Sequence, residues 1–219
     1  MRKLLLTLCL ICSFTSMQSY AASITIKGQN LNYQMPEGYC EFNLKNQKES
    51  SYWNFFDKAL GRSVEVAALL APCKDISAAQ NGNYDELTHM IILSFIGIDG
   101  KFVKFRFGNL AYTSFISMLK PQDLDKTINR ANKRLSPYNV KIQSLMVSEA
   151  NIAKDQVNYT GAINFAYKEQ EFGFDFNVAS ALANKWPVAA AIMYRNDKKI
   201  DMHKPFLAYE SIMHDLKEN

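Results

Sequence analysis

Four segments rich in β-branched and aromatic residues follow one another between residues 140 and 194, with the sequence VKIQSLMVSEANIAKDQVNYTGAINFAYKEQEFGFDFNVASALANKWPVAAAIMY. The four segments are residues 140–147, 156–167, 171–183 and 187–194. Strands separated by short polar connections are typical of an antiparallel meander. The third segment ends in an alanine-rich run, for which a helix is the alternative. We therefore predict an antiparallel sheet as the centre of the fold.

More strands are predicted upstream of this meander. Apolar runs at residues 64–71 and 89–98 each predict a buried strand. The dipeptide Asp99-Gly100 is a strong hairpin signal, so residues 101–107 are predicted to return as the partner strand. Alternating residues from Ile24 to Met35 also predict extended structure.

Apolar residues at helical spacing predict four helices. They are residues 51–60 with Ser51 as the N-cap, residues 109–119, residues 121–135, and a final helix opening at Pro205. The final helix is expected to turn five side chains inward, namely Phe206, Tyr209, Ile212, Met213 and Leu216. Because helices and antiparallel strands do not alternate strictly, the predicted fold class is α+β, a mostly antiparallel sheet flanked by helices.

Two features of the chain resemble PsbP-like proteins. The first is the opening Tyr33-Gln34-Met35-Pro36-Glu37-Gly38-Tyr39, and the second is the late order of a strand hairpin, a strand ending at Tyr194, a charged loop and a terminal amphipathic helix. The resemblance implies an α/β/α sandwich and an exported accessory protein that is not an enzyme. It implies no functional residue, because none can be matched.

The N-terminus predicts export. Arg2 and Lys3 precede an apolar run of eleven residues, Leu4 to Phe14, and small residues follow at Ser19 and Ala21. This order is typical of a signal peptide, residues 1–21, which is cleaved before Ala22. An uncleaved anchor, the alternative, would need an apolar run of about 20 residues. We expect a periplasmic or secreted protein with one domain, residues 22–219.

Charge and cysteine content support this assignment. The net charge of +4 falls to +2 once Arg2 and Lys3 are removed, which is too small to indicate a nucleic-acid partner. Cys9 and Cys12 belong to the predicted signal peptide, so Cys40 and Cys73 remain. An even pair in an exported chain predicts a Cys40–Cys73 disulfide. Two separate buried thiols or a catalytic Cys-His pair are the alternatives.

The three histidines, His89, His203 and His214, form no recognised catalytic or metal-binding motif. We therefore expect no metal and no cofactor. His89 precedes an apolar strand and is expected to cap it or to meet solvent. His203 with Asp201 is the candidate general base and its orienting carboxylate, and a plain loop before a helix is the alternative.

The helix predicted at residues 121–135 has a basic face. Lys126, Arg130, Lys133 and Arg134 project away from the apolar stripe of Leu124, Ile128, Ala131 and Leu135. A basic amphipathic helix can bind an anionic membrane surface or an acidic envelope protein. The alternative is a solvated face with no partner.

Together these features favour an exported, non-catalytic binding or accessory protein of the cell envelope. The alternative is a cofactor-independent periplasmic or secreted hydrolase that uses His203 with Asp201 or scattered carboxylates. A deep pocket holding a buried, perturbed carboxylate or histidine would favour the hydrolase. An exposed apolar or basic surface would favour binding.

Overall fold

An antiparallel sheet of eight strands forms the centre of the computed structural model, which describes residues 20–81, 83, 86–98, 100–118, 124–148, 150–153, 155–168 and 170–219. The strands are β1 (Tyr20–Ile26), β2 (Gln29–Met35), β3 (Tyr39–Glu41), β4 (Val64–Pro72), β5 (His89–Ile96), β6 (Val140–Val147), β7 (Asn151–Ala153), β8 (Gln156–Tyr167), β9 (Gln170–Ala183) and β10 (Trp186–Arg195). The order across the sheet is β3-β4-β5-β10-β9-β8-β6, and β7 also pairs with β8. β1 and β2 form a separate hairpin.

The predicted meander is confirmed, and it makes up more than half of the sheet. β9 continues as a strand to Ala183, so the helical alternative for its alanine-rich end is wrong. Asn184 and Lys185 join β9 to β10 with φ values of 46° and 68°. Two positive φ values in a two-residue loop are characteristic of the type I′ turn, which matches the twist of the strands it joins.

The chain does turn back between Ile98 and Lys101, but the return strand predicted at residues 101–107 is wrong. Beyond one isolated bridge between Ile98 and Lys101, residues 102–108 form no strand. β5 already has β4 on one side and β10 on the other, so both of its edges are occupied. The segment after β5 therefore leaves the sheet and leads into a helix instead.

Five α-helices occur in the described part of the chain. They are α1 (Gln47–Leu60), α2 (Cys73–Gln80), α3 (Asn109–Met118), α4 (Leu124–Leu135) and α5 (His203–Lys217), with a 3-10 turn at Ser136–Tyr138 after α4. α1 begins earlier than predicted, because Asn46 rather than Ser51 is its N-cap and accepts from the backbone N–H of Lys48. α2 was not predicted. The described part of the predicted helix 121–135 begins at Leu124.

Helices cover both faces of the sheet. On one face, α5 and the β1-β2 hairpin enclose a core with β5, β9 and β10, and Tyr209, Ile212, Met213 and Leu216 of α5 are buried there as predicted. On the other face, α1 and α2 pack on β4 and β5, and α4 packs on β6 and β8. α3 shares this second face, because Tyr112 of α3 contacts Ser180, which alternates with the α5-facing Ala179 and Ala181. The predicted α+β class with helices on both sides is confirmed.

The first 19 residues of the predicted signal peptide lie outside the described residues. β1 begins at Tyr20, which pairs with Met35. Cleavage before Ala22 would remove Tyr20 and Ala21 from this strand and leave the pairs from Ala22 with Tyr33 onward. The signal peptide, its cleavage site and the single-domain assignment stay predictions.

Candidate functional site

Cys40 and Cys73 form the predicted disulfide. Cys40 lies in β3 at the sheet edge, and Cys73 is the first residue of α2. Their Cα atoms are 4.9 Å apart, and the bond closes a sequence separation of 33 residues. The disulfide therefore ties a three-residue edge strand to the helix on the second face.

The predicted catalytic pair, His203 and Asp201, is exposed at the start of α5. The Asp201 carboxylate accepts a hydrogen bond of 3.0 Å from the backbone N–H of His203. It thus satisfies one of the unpaired donors of a helix N-terminus. No hydrogen bond between the carboxylate and the imidazole occurs in the described structure, so the geometry is that of a helix start.

The predicted basic face of α4 is exposed, and its apolar stripe is packed inward as expected. Lys126, Arg130, Lys133 and Arg134 all lie on the exposed side. Arg134 donates to the backbone oxygen of Ala59 at 2.9 Å, which holds it against the end of α1. Gly61 makes this contact sterically accessible, because a Cβ there would collide with the guanidinium. Partner binding by this face stays a prediction.

His89 is at the centre of a hydrogen-bonded chain that the sequence did not indicate. It is 6% exposed, so the prediction that it meets solvent is wrong. The Tyr39 hydroxyl lies 2.7 Å from Nε2, and the Thr88 hydroxyl lies 3.0 Å from Nδ1. Asp75, in the first turn of α2, accepts from the Thr88 hydroxyl at 2.8 Å and from the Thr88 backbone N–H at 3.1 Å.

Burial, together with these hydrogen bonds, favours a neutral imidazole at His89. An ionised Asp75 can only accept, so the Thr88 hydroxyl donates to it and in turn accepts from Nδ1–H of His89. Nε2 then accepts from the Tyr39 hydroxyl. Burial lowers the pKa of His89, against the opposing attraction of Asp75. Burial, followed by the Asp75 charge, raises the pKa of Tyr39 to about 12, which keeps its proton in place. This chain of hydrogen bonds joins α2, β3 and β5. Because both ring nitrogens of His89 are engaged in it, neither nitrogen is free to bind a substrate.

An open depression of about 520 Å³ lies on the face that carries α5, beyond the end of that helix. Its lining contains one carboxylate and no cation, and includes Met146, Ser148, Thr160, Ala162, Asp175, Asn177 and Tyr194. Burial and, to a lesser degree, the Asp175 charge raise the pKa of Tyr194. An antiparallel sheet commonly leaves one face to water, and this open surface of mixed polar and apolar residues fits that pattern.

A different surface exposes large apolar side chains. Leu110 is 75% exposed, Phe107 68%, Val103 47% and Phe115 37%. Together we call these four residues the α3 surface, since they lie on α3 and on the segment that leads into it. Monomeric proteins rarely expose contiguous apolar patches without a binding role, so this surface is the leading candidate for a functional site.

Hydrogen bonds hold the α3 surface firmly to the sheet. The backbone N–H of Phe105 donates to the Lys185 carbonyl at 2.7 Å. The hydroxyl of Tyr112, a residue 1% exposed, lies 2.6 Å from Ser180 Oγ, which itself donates to the Val188 carbonyl. Tyr112 is therefore the donor, and burial raises its pKa to about 12.

An aromatic cluster supports the exposed side chains from below. Phe105 contacts Phe107, Tyr112 and Phe115 with ring centroids 6.0, 5.4 and 6.2 Å apart. At the far end of α3, the Tyr159 hydroxyl donates to the Ile116 carbonyl at 3.2 Å. The exposed apolar side chains are thus presented by a fixed support.

Positive charge surrounds the α3 surface. Residues 100–118 contain three cations, Lys101, Lys104 and Arg106, and no carboxylate. A second depression, of about 260 Å³, lies between Arg106 and Lys185 beside Phe107. Lys217 also lines it but is paired with Asp155 at 2.8 Å. Within the described residues neither Arg106 nor Lys185 has an ion pair.

Sequence reasoning missed this site because residues 101–107 were assigned to a strand. The signal that could have found it is the run from Lys101 to Phe107, where cations alternate with apolar residues and no carboxylate follows before residue 118. Lys185 could not have been added from sequence, because it lies 79 positions after Arg106.

The described residues lack two kinds of feature, a metal-binding group and a membrane-spanning helix. They contain no group of three or more histidine, cysteine, aspartate or glutamate side chains placed to hold a metal ion. None of the helices in the described ranges combines the length and apolar character needed to cross a membrane.

Comparison with solved structures shows a likeness in fold. No family model matches the chain, and no match was found among curated proteins. The chain is similar to the solution structure of cyanobacterial PsbP (CyanoP) from Synechocystis sp. PCC 6803, with a TM-score of 0.39 and 10% sequence identity over 93% of this chain and 95% of that chain. This comparison and the sequence resemblance name the same family. At this identity and TM-score, the likeness carries no residue role, ligand or partner over to this chain.

Proposed function

We propose that the chain is an exported, non-catalytic accessory protein that binds a component of the cell envelope through the α3 surface. The observation that carries the proposal is the fixed presentation of Leu110 and Phe107, which are 75% and 68% exposed, beside cations that have no carboxylate partner in the described structure. The Cys40–Cys73 disulfide and the predicted signal peptide support an extracytoplasmic location, since disulfides persist in oxidising compartments.

The contacts of the candidate base His203 and of the buried His89 do not favour the hydrolase alternative. His89 has both ring nitrogens engaged, and Asp201 bonds the backbone of His203 rather than its imidazole. A general base needs a free ring nitrogen within reach of a substrate proton.

Site-specific photo-crosslinking in cells that make the protein tests the proposal. The photo-reactive residue p-benzoylphenylalanine is placed at position 107 or 110, and position 207 is the control, because Leu207 is 53% exposed on α5. We expect light-dependent adducts with an envelope component at 107 and 110 and none at 207. Equal adducts at all three positions, or none at any, would contradict the proposal.

A further inference from the structure

Apart from the Lys217–Asp155 ion pair, the charges described beside the α3 surface are cations. Arg106 and Lys185 both line the 260 Å³ depression, and neither has a carboxylate partner among the described residues. Lys104 lies 5.7 Å from the centre of the Trp186 ring, at the β9-β10 turn that carries Lys185. Lys27 lies 5.9 Å from the same ring. These cations create a concentrated positive potential, which attracts an anionic partner.

The apolar side chains stand next to this positive charge. Phe107 lines the depression itself, and Leu110 lies one helical turn further on, at the start of α3. α3 has ten residues, about 15 Å of helix, which is half the thickness of the hydrocarbon core of a bilayer. Such a segment can bury its apolar tips at the membrane interface but cannot cross it.

The Lys185 backbone adds an independent observation. Its φ of 68° is in the left-handed region, which glycine adopts most easily. Asn-Gly is the favoured pair for a type I′ turn, whereas this chain has Asn184-Lys185. A cation therefore occupies a position whose backbone suits glycine, so Lys185→Gly removes the charge without adding backbone strain.

We propose that the α3 surface docks onto an anionic lipid bilayer, with Arg106 and Lys185 holding a lipid phosphate between them and Phe107 and Leu110 inserted below it. The proposal rests on the proposed function and names its partner. A bilayer fits this surface because it offers anionic phosphates to the cations and an apolar interior to the exposed side chains beside them. A few apolar tips and unpaired cations suffice for an interfacial membrane contact.

Co-sedimentation with vesicles of phosphatidylcholine, with and without phosphatidylglycerol, tests the proposal on the disulfide-bonded protein. Wild type is expected to bind only the vesicles that contain phosphatidylglycerol, less strongly as salt rises. Arg106→Gln with Lys185→Gln should lower the affinity about 25-fold, since each cation near an anionic membrane contributes about a fivefold effect. The matched control is Lys198→Gln with Lys199→Gln, which removes the same charge from exposed positions outside both the α3 surface and the α4 face.

The apolar part is tested separately. Leu110→Ser should weaken vesicle binding, and the matched control Leu207→Ser, on α5, should not. Both leucines are exposed, so their replacement leaves the core intact. Thermal unfolding of every variant checks that the fold is unchanged. Lys185→Gly provides a second way to remove one cation at a position whose backbone suits glycine.

Three results would overturn the proposal. They are equal binding to both kinds of vesicle, a loss in the Lys198 and Lys199 control as large as in the Arg106 and Lys185 variant, and binding of inorganic phosphate alone with no binding to vesicles. If vesicles do not bind but positions 107 and 110 still crosslink to an envelope protein, the bilayer is the wrong partner and the proposed function stands. If vesicles bind through the α3 surface but no adduct forms in cells, the proposed function fails instead.

Discussion

Removing the Cys40–Cys73 disulfide should destabilise the protein strongly. The bond closes a sequence separation of 33 residues, for which the chain-entropy relation gives a loss of about 4 kcal/mol in the free energy of unfolding. Both cysteines are only half-buried, so replacing them by alanine removes little packing in addition. For a chain of this length, a loss of that size corresponds to a fall in Tm of roughly 7–15 °C.

Urea denaturation of wild type, the double variant Cys40→Ala with Cys73→Ala, and both single variants measures this effect. If the cross-link is responsible, each single variant should lose nearly as much stability as the double variant, because either substitution breaks the same bond. The slope of the free energy against urea should also rise, since an unfolded chain without the cross-link exposes more surface.

Two results would refute this reasoning. A loss below about 1 kcal/mol in the double variant would mean that the cross-link does not restrict the unfolded chain as the entropy relation requires. Single-variant losses that simply add up to the double-variant loss would mean that the two side chains act through separate packing contacts.

Three further predictions follow from individual residues. Tyr112→Phe should lower the free energy of unfolding by about 1 kcal/mol, because it removes the buried hydroxyl that donates to Ser180. The urea midpoint should fall accordingly, and an unchanged midpoint would contradict this. Stability should fall as the pH drops below 6.5, the usual pKa of histidine. Burial lowers the pKa of His89 in the folded state, so the unfolded state takes up the proton first. Unfolding midpoints measured on both sides of that pH should therefore change with pH more steeply for wild type than for His89→Gln. Lys185→Gly should raise the free energy of unfolding by about 1 kcal/mol, because the left-handed backbone at this position costs a non-glycine residue roughly that much free energy. A lower Tm would show instead that the lysine makes compensating contacts.

The predicted signal peptide leads to a separate measurement. Intact-mass analysis of protein from the envelope fraction should give Ala22 as the first residue, because Ser19 and Ala21 provide small residues at the cleavage site. Recovery of the chain from Met1 in membranes would show that the segment is retained.

The two basic surfaces of the molecule illustrate why charge patterns must be placed on a fold. The α4 face was visible in sequence, because helical periodicity separates its cations from its apolar stripe. In the structure, one of these cations, Arg134, is held by α1. The α3 surface instead combines its cations with exposed apolar tips, which is the combination that interfacial binding requires.

Local pattern alone determined the strands of residues 140–194, the direction in which α5 buries its side chains, and the pairing of Cys40 with Cys73. Each depends on neighbouring residues or, for the disulfide, on there being only two cysteines after the predicted export signal. Periodicity of two or of 3.6 residues records which side of an element faces the core, and it needs no knowledge of the rest of the chain.

Only the tertiary structure decided what happens between these elements. β5 pairs with β10, which begins 90 residues after β5 ends at Ile96, and this pairing displaces residues 102–108 from the sheet. The same long-range pairing brings the β9-β10 turn, with Lys185, beside Arg106, and packing of α2 against the sheet brings Asp75 to Thr88 and His89. Contacts between residues so far apart in sequence are set by how the whole sheet closes, and no local periodicity records them.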